Sequence, residues 1–201
     1  NLTLNEGFAS YGEYLWRDYS KGKDWGQSVL MNFKQSYKEE ARFTNKNLIR
    51  YEYRDENEMF DRHSYDKGAM VLHMLRDYLG DDAFFKGIQL YLENNAYSSV
   101  EVHDLRLAFE EVSGLDLNWF FDQWYLSKGY PELEIAYAVK ENSAQIMVVQ
   151  KQDLDKFGLF QLPIKVLVQN STSSKIYEFF VKDEVSIFKI PADSSLQYIS
   201  F

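Results

Sequence analysis

Residues 127–139, "SKGYPELEIAYAV", divide the chain into two differently patterned parts. Gly129 and Pro131 are helix breakers, and a helix that reaches them must stop. Before them, apolar side chains recur at the helical period of about 3.6; after them, the period falls toward 2. Downstream lie "ELEIAYAV", "AQIMVVQ", "LPIKVLVQ", "KIYEFFVK", "VSIFKI" and "LQYISF", separated by "KENS", "NSTSS", "KDE" and "PADSS". Short strands at this spacing, without crossover helices between them, suit a small β-sandwich and not a parallel sheet. The expected fold is α+β in two parts, with helices over 1–128 and a β-sandwich over 129–201.

Working back from Gly129, "DLNWFFDQWYLSKGYP" closes the helical part. "VEVHDLRLAFEEVSG" sets Leu105, Phe109 and Val112 on one face and ends at Gly114. "DDAFFKGIQLYLENN" begins with acidic residues, which suit a helix N-terminus. "SYDKGAMVLHMLRDYLGD" is expected to take Ser64 as its N-cap, to bury Gly68, Leu72, Leu75 and Leu79, and to stop at Gly80. "WGQSVLMNFKQSYKEEAR" is expected to be helical, with a polar stretch after it. In the opening helix Leu4, Phe8, Tyr11 and Leu15 form an apolar stripe. Glu6, Ser10, Glu13 and Arg17 repeat the same spacing on the opposite face.

Of the 201 residues, 45% are hydrophobic and 26% charged, the balance of a globular protein with a real core. A net charge of -9 repels phosphate backbones and anionic lipid, so nucleic acid is not an expected partner. The absence of cysteine excludes disulfides, thiolate zinc sites and cysteine nucleophiles. No apolar run approaches the roughly 18 residues of a membrane helix, and no signal peptide is visible at the start. The compartment is left open, with a soluble chain expected. Aromatic residues make up 17%, so any one of them belongs by default to the core.

Few residues stand out chemically. Glu6 lies in a mostly apolar stretch; on the residues alone it is a solvated carboxylate or a partner of the helix dipole. Glu13 has Arg17 one turn on, a surface ion pair by spacing. Tyr65 sits at a helix start. Gly68 is costly inside a helix, by about 1 kcal/mol against alanine, and such a glycine often permits close approach of a backbone or ligand. "RDENEMFDRH" offers Asp55, Glu56, Glu58, Asp61 and His63, but matches neither an EF-hand nor H-E-x-x-H, so a solvated acidic loop is the expectation. His63, His73 and His103 are too scattered for a triad. No G-x-S-x-G, P-loop or dinucleotide fingerprint occurs.

"LNEGFASYGEYLW", "SYDKGAMVLHMLRDYLGDDAFFKGIQLYL" and "WFFDQWYLSKGYPELEIAY" follow one another in an order that resembles the aminopeptidase N family of gluzincin zinc metallopeptidases. The resemblance covers essentially the whole chain. It implies the C-terminal, mainly helical half of a thermolysin-like catalytic domain, followed by that family's small β-sandwich. Glu6 matches the family's third zinc ligand in N-E-G-F-A. Tyr65 matches the tyrosine that helps to stabilise the tetrahedral intermediate. Glu13 matches a second carboxylate on the ligand helix, behind the metal. The chemistry suits these types: a catalytic zinc takes three protein ligands and a water, and a neutral tyrosine can donate to an oxyanion at pH 7.

The chain contains no H-E-x-x-H and no G-x-M-E-N. In the family these supply two histidine ligands, the general base and recognition of the substrate's free amine, and they lie upstream. The resemblance therefore implies a piece of a longer zinc aminopeptidase, whose partners are a peptide substrate and the N-terminal part of its own catalytic domain. The piece alone is expected to be inactive and to hold no zinc at the catalytic position. Two alternatives stand: a related gluzincin hydrolase with a different substrate, such as the epoxide-hydrolysing relatives, and a non-catalytic module that kept the scaffold.

Overall fold

The computed structural model describes residues 2–140, 142–192 and 195–201, and the chain divides into two compact units, Asn1–Gly129 and Tyr130–Phe201. In the first unit, α1 (Thr3–Lys21) and α2 (Lys23–Ala41) are joined by Gly22, whose φ of 94° lets the chain reverse without a spacer. An irregular segment with one 3-10 turn at Glu56–Met59 follows. A π-turn, His63–Lys67, then runs directly into α3 (Gly68–Leu79). Gly80, at φ 80°, ends α3 and starts α4 (Asp81–Asn94). α5 (Val102–Ser113) opens on a capping box between Glu101 and Asp104. α6 (Asn118–Phe121) passes into a second π-turn, Asp122–Leu126.

The core of this unit is aromatic and leucine-rich. Tyr11, Leu72, Leu75, Phe84, Leu105, Phe109, Phe120 and Phe121 are buried together. The apolar stripe of α1 faces inward through Leu4 and Tyr11, but the buried face is wider than that stripe and also takes in Thr3, Gly7 and Tyr14.

Ser64 is not an N-cap. It lies inside the π-turn, where its hydroxyl donates to the Met59 carbonyl at 2.7 Å. The capping role falls to Asp61, whose carboxylate accepts the Ser64 N–H at 3.0 Å, three residues on. An aspartate can cap and carry two ion pairs at once, which a serine cannot.

In the second unit β1 (Leu133–Lys140), β2 (Ser143–Gln150) and β5 (Val185–Pro191) form one antiparallel sheet in the order β1-β2-β5. β3 (Leu162–Asn170), β4 (Ser174–Val181) and β6 (Leu196–Ser200) form the other, in the order β4-β3-β6. Ala144, Ile146 and Val148 alternate inward from β2, and Val166 and Val168 from β3. Phe179 and Phe188, from different sheets, stack at 4.4 Å between ring centroids. The connection between β2 and β3 carries the short α7 (Leu154–Phe157), capped by Asp153. The buried Gln150 side chain pairs with both the N–H (2.9 Å) and the C=O (2.8 Å) of Phe160 and so pins that connection.

Candidate active site

Glycine decides how the site is assembled. α1 crosses the junction of the first π-turn with α3 at Gly7 and Gly68. A Cβ built on Gly7 would lie 3.1 Å from the backbone of Gly68; one built on Gly68 would lie 3.1 Å from Gly7 Cα and 2.5 Å from Thr3 Oγ1. The helices can approach this closely only because both positions lack a side chain. Gly68 therefore serves the close backbone approach that its place inside a helix suggests.

The crossing brings the two sequence-matched residues together. Glu6 precedes Gly7, Tyr65 lies one turn before Gly68, and the crossing sets the Tyr65 phenol close enough to the Glu6 carboxylate to feel its charge. Both side chains are half-buried. Partial burial first, and then the Glu6 charge, push the Tyr65 phenol above its ordinary range, so it stays protonated at neutral pH. Among the described residues no Lys, Arg or His forms an ion pair with Glu6. Its carboxylate keeps acceptor capacity for a further partner. Glu13 is exposed two turns further along α1 and faces Arg17 at 3.9 Å, with no hydrogen bond to Glu6 among the described residues.

A second acidic group lies elsewhere in the unit. Single ligand atoms of Glu40, Asp61 and His63 lie within 4.8 Å of one another, a spacing that would suit a cation. Hydrogen bonding accounts for them otherwise. His63 Nε2 accepts the Lys46 N–H at 3.3 Å, so Nδ1 carries the proton and donates to Glu40 Oε1 at 2.6 Å. Burial depresses the imidazole pKa despite the pull of Glu40, which keeps the ring neutral. Asp61 takes Arg50 at 2.8 Å, Lys46 at 3.0 Å and the Ser64 N–H. Burial alone would raise its pKa, but those three donors outweigh it and hold the carboxyl low. Asp55 caps the 3-10 turn through the Asn57 N–H at 2.7 Å. The acidic stretch, Asp61 and His63 included, is a latch that ties the 44–62 segment to α2 and the π-turn.

Lys67 lies within the SYDKGA stretch that carries the family resemblance, but no role for it is read from the sequence. It is buried, and its Nζ donates to the Gly129 carbonyl at 3.2 Å, an acceptor shared with the Tyr37 hydroxyl. Burial, reinforced by Arg50, pushes its pKa down to about 7. The Gly7–Gly68 pairing could have been anticipated, since both glycines lie in buried helical faces; the π-turn could not, because no residue pattern announces one.

The Peptidase family M1 domain matches residues 1–124. The chain belongs to peptidase family M1. An M1 relative, aminopeptidase M1 of Arabidopsis thaliana, is 36% identical over 141 residues, 65% of this chain and 15% of that protein. Tricorn protease-interacting factor F2 of Thermoplasma volcanium is 35% identical over 159 residues, 76% of this chain and 19% of that protein. The crystal structure of Legionella pneumophila aminopeptidase A in complex with aspartic acid has the same fold. Its TM-score is 0.76 at 18% identity, over 96% of this chain and 22% of that one. The chain thus spans about a fifth of the length of such relatives. The aminopeptidase family resemblance carried by N-E-G-F-A and S-Y-x-K-G-A holds, and so does a helical part followed by a small β part.

Family membership raises the question of zinc. A half-exposed carboxylate with no cationic partner fits one ligand of an M1 metal centre. Among the described residues Glu6 belongs to no group of three or more potential ligand side chains.

Proposed function

We propose that this chain is the C-terminal part of the catalytic domain of a zinc aminopeptidase, with the β-sandwich that follows it, and that Glu6 and Tyr65 are its contribution to the active site. The observation that carries this reading is the close approach of α1 to the first π-turn at Gly7 and Gly68, which sets Glu6 beside Tyr65. Two motifs far apart in sequence converge on one carboxylate and one neutral phenol, with no cation among the described residues spent on the carboxylate.

In this reading Glu6 supplies one oxygen ligand to zinc, and two histidines from outside the chain complete the set. Zinc, when bound, supplies Lewis acidity toward the scissile carbonyl and lowers the pKa of a water. Tyr65 donates its hydroxyl hydrogen bond to the oxygen of that carbonyl as negative charge develops there. Its raised pKa suits the task, because a phenol that stays protonated is a donor throughout the neutral range. The Gly7–Gly68 crossing holds the phenol near the metal position before substrate arrives, which reduces the reorganisation needed during reaction. Glu13, on the outer face with Arg17, has no part in these steps.

The substrate class is peptides with a free N-terminus. The test is the full-length gene product assayed on an aminoacyl arylamide and on its N-acetylated counterpart. Hydrolysis of the first alone, abolished by chelator and restored by zinc, is the expected result. Equal hydrolysis of both would refute the aminopeptidase assignment, and activity indifferent to chelator would refute the metal.

A further inference from the structure

The first π-turn raises a hydrogen-bonding question whose answer lies on α1. At the end of the turn the Gly68 N–H goes to the carbonyls of His63 and Tyr65 and passes over the carbonyl of Ser64 between them. In a regular α-helix that N–H would bond the carbonyl four residues back, which is Ser64. The displaced carbonyl is buried with its residue, and a buried carbonyl needs a donor. The donor is the Thr3 hydroxyl, at 3.0 Å. Thr3 is 2% exposed, so no solvent competes for this bond.

The carbonyl in question belongs to the peptide unit that joins Ser64 to Tyr65. Fixing that plane fixes the direction in which the Tyr65 side chain leaves the backbone. Thr3 stands three residues before Glu6, within one turn of the same helix. One short stretch of α1 therefore holds both members of the pair. Glu6 lies beside the phenol, and Thr3 holds the backbone that aims it. Gly68 completes the arrangement, because a Cβ there would come within 2.5 Å of Thr3 Oγ1 and drive the hydroxyl off its acceptor.

We propose that Thr3 is a positioning residue for catalysis, its hydroxyl bond to the Ser64 carbonyl holding Tyr65 at the reacting oxygen. This rests on Tyr65 being the transition-state donor. Thr3→Val keeps the shape and removes the hydroxyl; Thr3→Ser keeps the hydroxyl. In the full-length enzyme, Thr3→Val is expected to lower kcat by about 10- to 100-fold, the loss that follows a displacement of about 1 Å at a reacting group. KM and zinc content stay as in the parent, and Thr3→Ser restores kcat.

Because Thr3 acts through Tyr65, adding Thr3→Val to Tyr65→Phe is expected to cause no further loss of kcat. Hydrogen exchange of the π-turn peptide gives a readout independent of activity: Thr3→Val accelerates it about 10-fold or more, and Thr3→Ser does not. The proposal is overturned if Thr3→Val leaves exchange unchanged, if it leaves kcat unchanged, if Thr3→Ser is as impaired as Thr3→Val, or if the loss adds in full on the Tyr65→Phe background. A Tyr65→Phe enzyme with parental kcat would instead overturn the proposed role of Tyr65, and the exchange experiment would still decide whether Thr3 holds the turn.

Discussion

The helical unit contains two acidic groups that look alike in a residue count and differ in how their hydrogen bonds are used. Around Glu40, Asp61 and His63, the imidazole nitrogens face Glu40 and a backbone amide, while Asp61 takes Arg50, Lys46 and a cap bond. Around Glu6, one carboxylate lies near one phenol and pairs with no cation among the described residues. The first group has the better metal spacing, yet its donor atoms are already engaged. The second has a single ligand atom that remains available. Counting partners, not ligand types, separates a structural latch from a site able to accept a metal or substrate.

The strongest way to break this comparison is to exchange the consequences of the two groups. In the full-length enzyme Glu6→Ala is expected to weaken zinc binding at least about 100-fold while leaving the Tm of the protein nearly unchanged. Retained stoichiometric zinc would assign the ligand elsewhere. His63→Ala should do the opposite. It empties a buried site, leaves Glu40 and the Lys46 amide short of a partner, and should cost about 3 kcal/mol in urea unfolding, with zinc content per folded molecule unchanged. A loss of zinc there would make the latch a metal centre.

The glycine crossing sharpens the contrast from the packing side. Gly7→Ala puts a methyl 3.1 Å from the Gly68 backbone. It should cost about 1–3 kcal/mol by overpacking and lower kcat through displacement of Tyr65 from Glu6. Unchanged stability would mean that the crossing has slack.

A smaller effect follows from Lys67. Its folded pKa lies near 7 and its unfolded value near that of an ordinary lysine. Between those values the unfolded chain binds a proton that the folded chain does not, so stability rises as pH goes from about 7 toward 10. Above that range buried phenols such as Tyr11, pushed up to about 12, keep their protons only in the folded state and turn the slope downward. Lys67→Met should flatten the rise in a pH series of urea melts; an unaltered slope would assign it to other groups. The smallest effect belongs to Glu13, whose exposed contact with Arg17 is worth at most about 0.5 kcal/mol, so Glu13→Gln should leave both stability and kcat almost untouched. A large loss of kcat would return Glu13 to a place behind the metal.

Much of this was legible in the sequence because local chemistry fixes it. The change of period at Gly129 separates helices from strands, and the strands fall on the alternating segments. Glu6 and Tyr65 are singled out by the motifs that carry the family resemblance, and their proposed roles rest on it. Ser64 was misread as a cap because serine is a common one, whereas Asp61 could satisfy the same amide and two cations besides. The roles of Lys67 and Thr3 were illegible for a different reason. Each acts on a partner distant in sequence, the Gly129 carbonyl or the Ser64 carbonyl, and only the folded chain brings these together. The π-turn was illegible because no residue pattern announces one.

The central claim is that Glu6 serves the metal and Tyr65 serves the transition state. It is tested most directly by Tyr65→Phe in the full-length enzyme, with zinc analysis and steady-state kinetics on the same preparation. Removing the hydroxyl alone should lower kcat by about two to three orders of magnitude, the usual loss for one oxyanion donor, with KM little changed and zinc fully retained. Parental kcat in Tyr65→Phe, or a kcat loss that tracks a loss of zinc, would contradict the account and leave Tyr65 a packed residue at the start of a helix.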